Sequence, residues 1–262
     1  MYRSLLYVPA QAERFIGKAH ERGADAIILD LEDAVPEADK DAARAGLGRS
    51  VERVGRAGAA VLVRINAGAR ALDDAKAALA AKAVAIVVAK AEPAGLAELA
   101  SVGMPLIAML ESPAAILDAR ACAAHPGVIG LMVGGEDLAT ELGAQPTPEV
   151  LRVPKLLAHY AAKAERKLSF GMLRSVADYS DLEALRAAAA EARMHGFDGA
   201  SCVHPSGVAI LNAAFAPSAE EVDWARRVVE AARSSDAAFT LDGRMVDKPV
   251  VERARRVLKL VR

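Results

Sequence analysis

Ionisable residues in this 262-residue chain fall at particular places. The stretch "LDLEDAV", Leu29 to Val35, sets Asp30, Glu32 and Asp33 directly behind the apolar "ADAIIL". Arg64 and Asn66 close "AAVLVRIN", Lys90 and Glu92 close "VAIVVAKAE", and Glu111 closes "PLIAMLES". Glu136 and Asp137 follow "GVIGLMVGG", and His204 follows "GASCV". Two carboxylates such as Glu111 and Asp137, with no Cys or His partner in reach, form an oxygen-donor pair, which favours Mg²⁺ or Mn²⁺ over Zn²⁺. Asp30, Glu32 and Asp33 would then hold the waters around that ion from behind. Arg64 at a strand end suits a two-bonded grip on a substrate carboxylate. Gly134 and Gly135, beside Glu136, offer bare backbone to a ligand. Structural readings compete at several of these positions. Asp137 could cap the following helix, and Glu111 could be a helix-start acid. Asp33 could pair with Lys40 or Arg44, Arg64 with nearby acids, and Lys90 with Glu92. A lone His204 is more often structural than catalytic.

These groups share one property: each sits just past a short apolar run. The runs "SLLYVP", "DAIILDL", "AAVLVRIN", "VAIVVAKAE", "PLIAMLES", "GVIGLMVGGEDL", "KLSFGML" and "GASCVHP" make eight candidate strands. Between them lie Ala-, Glu- and Arg-rich stretches with helical spacing, such as "DLEALRAAAAEARMHG". Strands alternating with helices imply a parallel sheet. Eight βα repeats in a chain of this length predict a closed (β/α)8 TIM barrel, in which the strand C-termini converge on one mouth. A doubly wound sheet is the alternative, weakened by the lack of a G-x-G-x-x-G after the first strand. The predicted barrel spans residues 1–216 and a C-terminal helical extension spans 217–262. In the extension, Ser218 and Glu221 have the spacing of a capping box, "LDGR" reads as a turn, and Pro249 lies near the start of a final helix. The barrel is complete without this piece, which therefore fits packing on the barrel or on a neighbouring subunit.

Composition narrows the class. Hydrophobic residues make up 53% and aromatics only 4%, so Ala, Val, Leu and Ile build the core. A formal net charge of -1 with interspersed signs gives no basic footprint for nucleic acid. No apolar stretch approaches the roughly 20 residues of a membrane helix, and the N-terminus lacks a signal-peptide pattern. Cys122 and Cys202 belong to no CxxC pair and read as buried free thiols in a reducing, cytoplasmic compartment.

On "RSLLYVPA", "GADAIILDLEDAV", "VLVRIN", "VVAKAE", "AMLESPAAI", "LMVGGEDLATELG", "HGFDGASCVHPSG" and "DGRMVDKPVVERARRVL", the chain resembles the citrate lyase beta-subunit-like proteins. These belong to the HpcH/HpaI aldolase/citrate lyase superfamily, with malyl-CoA and citramalyl-CoA lyases among their relatives. The resemblance implies a Mg²⁺-dependent barrel, trimeric or hexameric, with an active site shared between subunits. It puts the metal ligands on Glu111 and Asp137, the active-site arginine on Arg64, and Arg3 at the barrel mouth. It also puts an acid/base aspartate, contributed by a neighbouring subunit, on Asp247. The implied activity is carbon–carbon cleavage of a short 3-hydroxyacyl-CoA of the citryl-, malyl- or citramalyl-CoA type. Metal-dependent thioester hydrolysis, work as a lyase subunit on an acyl carrier protein, and 2-keto acid aldol cleavage are the alternatives. Ala10, Met172, Leu173, Ala200 and Gly207 depart from the family pattern where the thioester is expected to pass.

Overall fold

Branched and aliphatic residues become strands here because they fit a sheet buried on both faces. The computed structural model describes residues 2–177, 179–234 and 237–261. Its strands are β1 (Ser4–Pro9), β2 (Ala26–Asp30), β3 (Ala60–Ile65), β4 (Ala85–Val88), β5 (Leu106–Leu110), β6 (Val128–Val133), β7 (Leu168–Ser169) and β8 (Ala200–Cys202). They form one eight-stranded sheet in the order β7-β6-β5-β4-β3-β2-β1-β8, parallel throughout. A parallel bridge between Phe170 and Gly199 joins the two ends, supported by backbone bonds of 2.9 Å from Asp198 N to Ser169 O and from Gly171 N to Gly199 O. The ring is thus closed, as the eight repeats predict. β7 is shorter than "KLSFGML" suggests. Gly171, at φ 149°, turns the chain out of the ladder, and Met172 and Leu173 bury instead.

Leu5, Ala26, Ile28, Leu62, Ala85, Val87, Ile107, Met109, Met132 and Phe170 form the barrel's inner core. Side chains alternate along a strand. The inward face therefore continues two residues beyond Ile28, Leu62, Met109 and Met132, to Asp30, Arg64, Glu111 and Gly134. The top layer of the barrel interior is polar by the same periodicity that makes its floor apolar.

The chain divides into compact units at residues 1–213 and 214–262. The second holds the helix Ala219–Ala231, a hairpin of β9 (Phe239–Leu241) and β10 (Arg244–Val246), and the helix Lys248–Lys259, around Ala225, Val228, Val246, Val251 and Ala254. The first of these helices starts in a capping box: Glu221 N donates to Ser218 Oγ at 3.1 Å and Ser218 N to Glu221 Oε2 at 2.8 Å. The extension is not purely helical, because "LDGR" turns a short antiparallel hairpin. Among the described residues, no helix is long and apolar enough to cross a membrane.

Candidate active site

Asp30 and Arg64 are register partners on β2 and β3, both on the inward face. Opposite each other on one face, a carboxylate and a guanidinium can meet through two parallel hydrogen bonds. Arg64 Nε donates to Asp30 Oδ1 at 2.7 Å and Nη2 to Oδ2 at 2.6 Å. Nη1 reaches Glu32 at 2.8 Å and Asp33 at 3.1 Å. The Tyr7 ring lies 5.2 Å from the guanidinium carbon, a cation–π distance. Burial works against the charge of Arg64, but the hydrogen bonds to Asp30 and the charges around it hold the group above its ordinary value. Burial pushes the Tyr7 phenol well up, so it stays neutral.

This arrangement corrects several expectations. The LDLED acids grip Arg64: Asp30 spends both oxygens on it, and also accepts from Glu32 N at 2.9 Å and Ala34 N at 3.3 Å. Asp33 pairs with Arg64, not with Lys40 or Arg44. Lys40 Nζ instead donates to Leu31 O at 3.1 Å, Glu32 O at 2.7 Å and Asn66 Oδ1 at 2.5 Å. Arg44 and Asn66 meet at the buried Asp74. Lys90 Nζ lies 3.4 Å from Glu32, and no ion pair joins it to Glu92 among the described residues. Burial, reinforced by Asp33, pushes the Glu32 carboxyl up to about 6. Asp33 is lowered: burial acts to raise it, but the bond with Glu32 and the Arg64 charge outweigh that.

Glu111 directly follows β5 and is 3% exposed. Its Oε2 accepts the Lys90 backbone N–H at 2.5 Å. Its Oε1 receives no hydrogen bond from the described residues. Burial pushes this carboxyl up to about 7 against the Lys90 hydrogen bond, and the charges of Glu32 and Asp137 add to the rise. Gly134 makes room for it: a Cβ there would overlap Glu111 Oε1 and stand 2.6 Å from Cγ and 2.9 Å from Cδ. Asp137 lies in the first turn of the helix Gly135–Glu141, whose N-cap is Gly134 with no side-chain cap bond. It is therefore not a cap, and it makes no hydrogen bond or ion pair with the described residues. Glu111 is not a cap either, since Ser112 accepts Ala115 N at 3.0 Å to start its helix.

Glu111 and Asp137 line one cavity of about 370 Å³, with Arg64, Gly134, Gly135 and Glu136. Among the described residues its wall carries five carboxylates, Asp30, Asp33, Glu111, Glu136 and Asp137, against two cations, Arg64 and Lys155. A negative surplus with unpartnered carboxylate oxygens fits a hard dication. Among the described residues no three His, Cys, Asp or Glu gather to hold a metal. Mg²⁺ needs fewer, since it often takes one or two protein carboxylates and fills its octahedron with water and substrate.

Other expected residues lie elsewhere. Arg3 precedes β1, at the end of the barrel opposite the mouth. There its Nε and Nη2 grip Asp25 at 2.8 and 3.0 Å, so its placement at the mouth is overturned. The reason is chain direction, because the mouth is built from residues at and beyond the C-terminal end of each strand. His204 stacks on Tyr179, with ring centroids 4.9 Å apart, and its Nδ1 lies 2.8 Å from Ser206 Oγ. Asp247 caps the final helix, accepting Val250 N at 3.3 Å. Burial pushes Cys122 up to about 11 and Cys202 up to about 12, leaving both as inert thiols. Two residues of the cavity wall carry little signal in the sequence. Tyr7 is legible only through the two-residue period of β1. Lys155 resembles any polar position of an amphipathic helix.

A parallel barrel with paired acids and an arginine at its mouth defines a class. The HpcH/HpaI aldolase/citrate lyase family model matches residues 3–205, and the chain belongs to that family. The chain is 36% identical over 273 residues to a (3S)-malyl-CoA thioesterase of Cereibacter sphaeroides, covering 98% of this chain and 93% of that protein. It is 37% identical over 266 residues to the citrate lyase subunit beta-like protein of Mycobacterium tuberculosis, covering 97% and 93%. Among solved structures, M. tuberculosis CitE in complex with magnesium, acetoacetate and coenzyme A superposes with a TM-score of 0.82 at 35% identity, covering 98% of this chain and 96% of that one. Magnesium is also present in the M. tuberculosis CitE complexes with pyruvate and with acetate.

Proposed function

We propose that this chain is a Mg²⁺-dependent carbon–carbon lyase acting on a short 3-hydroxyacyl-CoA of the malyl-, citramalyl- or citryl-CoA type. One observation carries the reading: Glu111 and Asp137, both with carboxylate oxygens unpartnered among the described residues, line one cavity wall together with a fixed guanidinium. Those two carboxylates would hold Mg²⁺, which, when bound, polarises a substrate oxygen and anchors a neighbouring carboxylate. Arg64 is held in place by Asp30, Glu32 and Asp33, which offset most of its charge, and it would give a substrate oxygen the one Nη2 N–H that has no partner among the described residues. In cleavage the bond between C2 and C3 breaks. Its electrons pass into the thioester enolate, the 3-hydroxyl gives up its proton to water as the new carbonyl forms, and C2 takes up a proton. Asp247 of a neighbouring copy is the proton donor at C2 and, in condensation, the acceptor. This assigns the 214–262 unit a role in a homotrimer or a hexamer.

The C. sphaeroides relative, a (3S)-malyl-CoA thioesterase by name, favours a second reading, hydrolysis of the thioester at the same site. Product analysis with malyl-CoA and citramalyl-CoA in Mg²⁺ separates the two. A lyase releases acetyl-CoA and a 2-oxo acid, whereas a hydrolase releases free CoA and the hydroxy acid. Asp137→Ala should abolish either activity. Full turnover by that variant, or turnover undiminished by a chelator, would overturn both readings.

A further inference from the structure

Among the described residues the cavity wall carries two cations, and they differ in how much of their charge is already spent. Arg64 faces Asp30, Glu32 and Asp33 at hydrogen-bond distance. Lys155, on the helix Pro148–Ala164, is 5% exposed and lines the same cavity. Among the described residues its Nζ makes one hydrogen bond, to Arg174 O at 2.7 Å. It has no ion pair with the described residues. An ammonium carries three N–H donors, so two remain for a ligand. Glu136 is the acid whose charge acts on it, and that carboxylate accepts the Ser175 hydroxyl. A buried ammonium without a close counter-charge is costly. Accordingly burial pulls Lys155 down to about 8, against the pull of Glu136.

Its position relative to the paired acids is set by two adjacent glycines. Gly134 abuts the Glu111 carboxylate. A Cβ on Gly135 would stand 3.7 Å from Lys155 Cε. The unspent cation therefore meets the cavity wall at the glycine next to the one that abuts Glu111. A short 3-hydroxyacyl thioester has two oxygen-bearing ends: the carbinol with its carboxylate, and the thioester carbonyl. If the first goes to Glu111 and Asp137, the second needs its own donor.

We propose that Lys155 is that donor, receiving the thioester carbonyl oxygen at the end of the acyl group remote from Glu111 and Asp137. This rests on the lyase or thioesterase reading above. In either reaction that oxygen gains negative charge, as an enolate in cleavage or a tetrahedral oxyanion in hydrolysis. Lys155 forms no covalent bond and transfers no proton; it supplies two N–H groups and a charge.

The test uses two stable acids on the full chain. (S)-Malate puts a carboxylate where the thioester carbonyl would lie, and (S)-2-hydroxybutyrate puts a methyl there. Calorimetric titration in Mg²⁺ should give at least tenfold tighter binding of malate to the wild type. In Lys155→Met that preference should fall below twofold, with 2-hydroxybutyrate affinity unchanged. Lys155→Gln, which can still donate to Arg174 O, should behave the same way and serves if the Met variant does not fold. Malate preference that survives in both variants, or is absent from the wild type, overturns the role of Lys155. Failure of the metal reading appears differently, as malate binding that does not depend on Mg²⁺. No binding of either acid under any condition counts against both.

Discussion

At the scale of single residues, the site depends on how closely Glu111 is packed. Its carboxylate fits only because Gly134 has no side chain. Gly134→Ala should push Oε1 off the cavity wall and weaken Mg²⁺ at least tenfold, about 1.4 kcal/mol. Overpacking should also cost about 1–3 kcal/mol of stability. Metal titration and a urea melt read the two effects separately. Protons compete for the same carboxylate. Glu111 is raised from its ordinary 4.5 to about 7 by burial, helped by Glu32 and Asp137. The metal-free fold therefore gains from this group fully below about pH 4.5 and loses that gain as pH rises through 7. Mg²⁺ needs the ionised form. Its affinity should rise from pH 5.5 to about 7 and then level off, and Glu111→Gln should flatten the curve. The candidacy of Glu111 was legible in the sequence, because an acid ending an apolar run has few structural reasons to be there. The room made by Gly134 was not, since it comes from a contact across β5 and β6.

At the scale of elements, the β2 and β3 ends act as one piece. Register opposes Asp30 and Arg64, and Lys40 and Asn66 pin the turn between Leu31 and Val35 from the other side. Arg64→Met should leave the buried Asp30 without its ion-pair partner, and Glu32 with only Lys90 beside it, and cost about 3–5 kcal/mol. Arg64→Lys should cost less, because it keeps the charge and loses the fork. Denaturant midpoints distinguish the variants, and equal midpoints would contradict a shared clamp. The strands were readable because their apolar runs are short and separated by helical patterns. Which acid would pair with which base was not readable. Pairing follows sheet register, which local sequence does not encode when a strand is apolar on both faces. That is why Asp33 pairs with Arg64 rather than with its near neighbours in sequence; Arg3 lies at the far end of the barrel for a different reason, that it precedes β1.

At the scale of the whole molecule, the chain joins a closed barrel to a small unit of two helices and a hairpin, and the proposal sets Asp247 of that unit over another copy's cavity. Mixing inactive Asp137→Ala and Asp247→Ala chains after joint refolding should restore part of the activity, since some sites would draw a sound residue from each chain. No recovery would place both residues in one chain's site or remove Asp247 from the chemistry. The repeat count and the C-terminal capping box were plain in the sequence. The hairpin was not, because its strands are only three residues each. Whether Glu111 and Asp137 hold the metal is read most directly by Mg²⁺ titration of the wild type, Glu111→Gln and Asp137→Asn at pH 8. Saturable binding to the wild type is expected, with at least tenfold weaker binding to each variant and all three melting cooperatively. Equal Mg²⁺ affinity in all three would contradict that assignment.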